Sequence, residues 1–297
     1  FFFKQKTAYE IPKRDWSSDV CSSDLAGCKP EYMRTLIAVV QAATDRKFNL
    51  QGIQATTNPA TAMIIVNGPE AVRIGVNGHL NCLGQGTWAN ATLGRAMRLI
   101  LQNIGGALPG DMDRATQGQP AKYMLCCGEN EAQSPWEPLH VERGFKKEQS
   151  TVTVVAIEGT LNMNTHSKEP NEMLRVFAEC LMHPASNEYC HGGEPWLVLA
   201  PEHAEILKAG GLTKRAIKER LFELTKMPAR HLAAKEILRV QASRSDEYGE
   251  IRPHTLLSMT HKPDDFWFIV AGGPGTHSVY VPCFGNSRAV TRVIEAV

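Results

Sequence analysis

The feature that most constrains the fold is a recurrence of short apolar runs, each followed by a turn bearing Gly or Pro and then by a stretch with helical spacing. Such runs occupy residues 62–66, 151–157, 196–200 and 266–270. They are too short for buried helices and are bounded by turn residues, so they read as strands. The first ends at Asn67-Gly68-Pro69 and the last at Ala271-Gly272-Gly273-Pro274-Gly275. Helical patterns lie between them. Residues 30–44 carry Pro30 at the first position and Met33, Leu36, Ile37 and Val40 at helical spacing. Residues 87–104 are closed by Gly105-Gly106. Further helices are expected at 171–182, after Pro201-Glu202-His203, and at 213–224, whose charge density predicts a solvated outer face. Strands alternating with helices predict an α/β fold, a layered sheet with flanking helices.

An internal echo suggests two repeated strand–loop–helix units. Ile65-Val66-Asn67-Gly68-Pro69, then Cys82-Leu83-Gly84, is answered by Ile269-Val270-Ala271-Gly272-Gly273-Pro274, then Cys283-Phe284-Gly285. The expected division is one α/β unit over 26–150 and a second over 151–297. Residues 105–144 are rich in Gly, Pro, Asp and Glu and read as a long functional loop, interrupted by a short strand at 123–126. Residues 1–25 read as a translated sequencing adapter with no ordered structure, which places the start of the natural sequence at Ala26 and its own N-terminus upstream.

The formal charge is +1, so there is no electrostatic footprint for nucleic acid and no basic run for an anionic membrane. No stretch reaches the ~18 apolar residues that span a bilayer. Setting Cys21 aside leaves seven cysteines of the eight, an odd number without scaffold spacing, which suits a reducing, cytoplasmic compartment.

Three features point to chemistry. Cys28, Cys82 and Cys283 each stand shortly before a predicted helix, where the macrodipole and free backbone N–H groups favour thiolate. Lys29 pushes Cys28 the same way. The Gly turns at Asn67-Gly68, Gly84-Gln85-Gly86 and Gly272-Gly273 fall between strands and helices, a context that gathers N–H groups on an anion. None is a dinucleotide fingerprint or Walker motif, and no cofactor is named. In the long loop, Lys122, Glu129, Glu131, Glu137, His140, Glu142 and Arg143 surround Pro135-Trp136, where an apolar ring could raise a carboxyl pKa. His203, His277, Thr57, Asn58 and Asn90 are further ligand or proton-transfer candidates.

Several segments resemble proteins associated with the UGSC (seleno)protein family: Ala26-Gly27-Cys28-Lys29-Pro30-Glu31-Tyr32, Gln54-Ala55-Thr56-Thr57-Asn58-Pro59, Ile65-Val66-Asn67-Gly68-Pro69, the run Ser134 to Phe145, and Ile269 to Gly275. The resemblance spans Ala26 to the end. It implies thiol or selenol redox chemistry and a selenoprotein-like or thiol redox partner. The selenocysteine-Gly-Ser-Cys motif that names the family has no counterpart here, since the chain contains no Gly-Ser-Cys.

The expected function is therefore an enzyme on a small, anionic organic substrate, a thiol-dependent oxidoreductase with Cys28 as thiolate and Glu137 or His140 moving the proton. The turns at Asn67-Gly68, Gly84 to Gly86 and Gly272-Gly273 would hold the substrate. Two alternatives stand beside it: an iron–sulfur hydro-lyase-like enzyme ligated by Cys28, Cys82 and Cys283, and a non-catalytic subunit of a two-component system. A homo-oligomer is compatible with either.

Overall fold

The computed structural model describes residues 22–184 and 186–295. The stretch read as adapter falls outside the described residues up to position 21, while residues 22–25 form a helical turn ahead of Cys28.

Among the described residues, ten strands build two four-stranded sheets and a small ribbon. They are β1 (Thr61–Asn67), β2 (Cys126–Gly128), β3 (Thr151–Ile157), β4 (Leu161–Asn164), β5 (Trp196–Leu199), β6 (Met227–Pro228), β7 (Leu256–Leu257), β8 (Trp267–Val270), β9 (His277–Val281) and β10 (Val290–Val293). The first sheet runs β10-β3-β1-β2, the second β4-β9-β5-β8, and β6 pairs with β7. The mixed α/β class expected from the alternation is what the chain adopts.

Side-chain alternation along the strands sets the layers. In β1, Ala62, Ile64 and Val66 face helices Met33–Ala43 and Trp88–Asn103, while Met63 and Ile65 face the other sheet. In β5 and β8, Leu197, Leu199, Phe268 and Val270 pack under helices Pro170–Leu181, Pro201–Ala209, Lys214–Leu224 and Ala234–Ser243. Trp196, Val198 and Ile269 turn inward to meet Met63 and Ile65. The result is four layers, helix–sheet–sheet–helix, with one core on each outer sheet face and a third between the sheets.

The sheets repeat one another. β1 is parallel to β2 and antiparallel to β3; β5 is parallel to β8 and antiparallel to β9. Each parallel pair is joined through helices on the outer face, as such connections require. The fourth strand of each set crosses over: β4 pairs with β9, and β10 with β3. The equivalences are thus β1 with β5, β2 with β8, β3 with β9 and β4 with β10. The sequence echo had aligned β1 with β8, which occupy non-equivalent places. Strands from both sides of residue 150 share the first sheet.

The short strand expected at 123–126 within the 105–144 segment is β2, at Cys126–Gly128, and the segment also contains the short helix Leu139–Glu142. The helix at 214–224 presents the expected solvated face through Arg215, Glu219, Arg220 and Glu223, but buries Lys214 and Lys218 beside Ile217 and Leu221. Both lysines grip Glu142, at 2.7 and 2.6 Å.

Candidate functional site

The inward face of β1 continues past Met63 and Ile65 to Asn67, the last residue of the strand, which is fully buried. The chain then turns through Gly68 with φ +80°, where any Cβ would collide with the Gln149 carbonyl, so glycine is required. The Gly68 N–H donates to Glu131 Oε1 at 2.7 Å. On the neighbouring strand Ile65 pairs with Cys127 and Val66 with Gly128. One step further brings Glu129 level with Asn67, and the Asn67 amide donates to Glu129 Oε2 at 2.6 Å and to Glu131 Oε1 at 3.0 Å.

The same Glu129 oxygen accepts the Leu139 N–H at 2.8 Å, which fixes the start of helix Leu139–Glu142 and with it His140. His140 is fully buried, its Nε2 3.3 Å from the Lys147 carbonyl and its Nδ1 3.9 Å from Glu131 Oε1. Four buried polar atoms here have no hydrogen-bond partner: Glu129 Oε1, Asn67 Oδ1, His140 Nδ1 and Thr151 Oγ1. Thr151 is the register partner of Asn67 on β3. Buried polar atoms are nearly always paired, so this concentration singles the cluster out as the candidate site.

Burial pushes the Glu129 carboxyl up to about 7, against the pull of the Lys214 ammonium and of the hydrogen bonds from Leu139 and Asn67, while Glu131 adds to the rise. A carboxyl half-protonated near neutrality, with one oxygen held and the other free, is poised for general acid–base work. The last Gly turn reaches the same end of the molecule. The Asn130 N–H donates to the Val270 carbonyl at 2.7 Å, and the Gly272 N–H to the Gly78 carbonyl at 2.8 Å. Gly273 lies against Leu80, and Gly78 against the Glu129 backbone.

Of the residues expected from sequence, Asn67, Gly68, His140, Gly272 and Gly273 gather at the C-terminal ends of β1, β2 and β8. The others lie elsewhere. Cys28 is half-buried against the outer core of the first sheet, and burial raises its thiol despite a hydrogen bond with Thr92, so the expected thiolate has no support there. Lys29 is exposed. Cys82 is buried in the core between the sheets, its thiol pushed up to about 11 by burial. Cys283 lies in that core too and is raised further by burial and by Glu188. Cys28 thus packs in a different layer from the other two, and among the described residues no group of three His, Cys, Asp or Glu is placed to hold a metal ion.

Glu137 is exposed, although its neighbour Trp136 is buried edge-on to Phe268. Gly84 abuts Asn81 and Gly86 abuts Asn90, within the 77–87 loop. Asn90 pins that loop, accepting from Asn77 N at 2.7 Å and donating to the Cys82 carbonyl at 3.2 Å. Exposed Thr57 gives its carbonyl to Thr116 N. His277, also exposed, opens β9 beside Asn162. Asn58 serves a second raised carboxyl at the far end of β3. It donates to Glu158 Oε1 at 2.7 Å, and Asn187 does so at 2.5 Å. Burial and the nearby Glu188 push Glu158 up to about 7. His203 is fully buried between Ser278 Oγ and the Thr165 carbonyl.

Glu129 and Glu131 were visible in the sequence only as members of a charged loop. The available signal was parity: Glu129 stands two residues after the apolar Cys127, hence on the same strand face. No family model matches the chain, and neither a curated protein nor a solved structure does.

Proposed function

We propose that the chain is an enzyme that moves a proton on a small organic substrate, with Glu129 as its acid–base carboxyl. The observation that carries this reading is the Glu129 side chain itself: buried, raised to about 7, one oxygen held by Asn67 and Leu139 and the other without a hydrogen-bond partner. Asn67 orients the carboxyl, and the unpartnered faces of Asn67 and His140 supply polar contacts to the reacting group. Half-exposed Glu131 links this centre to solvent and is the path by which protons exchange. The thiol route has less support, because burial disfavours the thiolate at Cys28.

The test joins spectroscopy to turnover. Two protonated-carboxyl contributions should titrate near pH 7 in the infrared spectrum of the wild type, from Glu129 and Glu158, and Glu129→Gln should remove one while Glu158→Gln removes the other. In a panel of small hydroxy and oxo acids, turnover by the wild type should fall about 10²–10⁴-fold in Glu129→Gln, the range general acid–base groups contribute, and remain in Cys28→Ser. Wild-type turnover in Glu129→Gln, or a Glu129 ionised throughout pH 5–9, would remove the basis of the reading.

A further inference from the structure

A second place in the fold answers to different chemistry. The loop that follows helix Trp88–Asn103 folds back against it and leaves a solvent-open cavity of about 360 Å³, within the range of small-molecule sites. Its charged lining consists of three cations, Arg95, Arg98 and Lys122, against a single carboxylate, Asp113. Asp113 is buried and already committed. Arg98 Nη2 reaches Oδ2 at 2.9 Å, and Lys122 Nζ reaches both oxygens at 2.7 and 2.8 Å. One carboxylate cannot neutralise two cations, and Arg95 makes neither an ion pair nor a hydrogen bond among the described residues. The cavity therefore holds a net positive charge whose two inner cations are fixed in place and whose outer one is unengaged. Gln102 adds amide donors, and Tyr123 stands at the wall, 72% exposed.

From this geometry we infer that the cavity binds a compact anion rich in oxygen acceptors, a carboxylate or a phosphate. Asp113 holds Lys122 and Arg98 as a rigid base, and Arg95 closes on the ligand with its guanidinium, whose planar fork suits either oxyanion. The site is distinct from the Glu129 centre: Lys122 precedes β2 and Glu129 follows it. It also differs from the anion site expected from the Gly turns, because Gly84 and Gly86 pack on their own loop rather than joining Gly68. The inference stands whether or not Glu129 is catalytic.

Titration calorimetry of the whole chain with inorganic phosphate and with citrate tests it, at physiological salt so that loosely held surface ions are screened. At least one anion should bind the wild type. Affinity should fall about tenfold or more in Arg95→Glu, equivalent to about 1.4 kcal/mol, with the melting temperature unchanged because Arg95 supports no other residue. The exposed, remote Lys235→Glu alters net charge equally and should bind as the wild type does. Tighter phosphate than citrate assigns a phosphate ester, and the reverse order a polycarboxylate. Binding of neither anion, or equal weakening in Arg95→Glu and Lys235→Glu, overturns the proposal.

Discussion

Replacing Glu129 by Gln separates two consequences of its burial. A carboxyl whose folded pKa of about 7 lies above its ordinary 4.5 binds more protons in the folded state than in the unfolded one between those values. Stability therefore falls as pH rises through that window and stays reduced above it. The shift corresponds to about 3 kcal/mol. Glutamine mimics the protonated form at every pH. In urea denaturation, Glu129→Gln should match the wild type near pH 4 and exceed it by up to about 3 kcal/mol at pH 8, and on the proposed acid–base role it should lack turnover. Equal stability at both pH values would mean that the carboxyl is not raised. At this scale the sequence was partly legible. Asn67, Gly68 and His140 could be picked out because a strand-ending Asn-Gly-Pro turn and a lone loop histidine stand apart from their surroundings. Parity with Cys127 puts both Glu129 and Glu131 on the inward face, but which of them enters the core is decided by the register of β2 against β1, and that register is set by long-range pairing.

At the scale of elements, helix Lys214–Leu224 is the instructive case. Its composition is that of a solvated helix, yet Lys214 and Lys218 pass inward over the rings of Phe268 and Trp267, at 5.5 and 4.0 Å, to reach Glu142. Long basic side chains can cover apolar surface in this way, and sequence pattern alone does not separate the two roles. Glu142→Ala leaves both ammonium groups buried without their anion. A loss of about 3–5 kcal/mol in urea denaturation is expected, the cost of breaking a buried pair on one side. A loss under about 1 kcal/mol, the range of exposed pairs, would show the lysines to be solvated. The strands divide along the same line. β1, β3 and β5 are buried on both faces and were legible as continuous apolar runs. β4 buries only Met163, and β10 alternates Val290 and Thr291 with the exposed Arg292. Such short edge strands carry too little pattern to be recognised before their partners are known.

Across the whole molecule, the crossing of β4 and β10 ties the two sheets together. Neither can lose cooperativity alone, because each contains a strand from the other half of the chain and both share the core around Trp196, Met63 and Ile65. Calorimetry should show a single transition. Truncation before Val290 strips β3 of a neighbour in the first sheet, yet it should lower amide protection in β5 and β8 of the second as well, as followed by hydrogen exchange. Protection retained in β5 and β8 would reveal two independently folding units.

The exchanged strands also bear on assembly. A polypeptide carrying only the first set, β1 to β4, has no partner of its own for the free edge of β3, and its β4 has nothing to lie against. The missing neighbour has to come from a second set of the same kind, whose fourth strand fits the β3 edge. Within this chain the two halves meet that need for each other, β10 completing the edge of β3 and β4 that of β9.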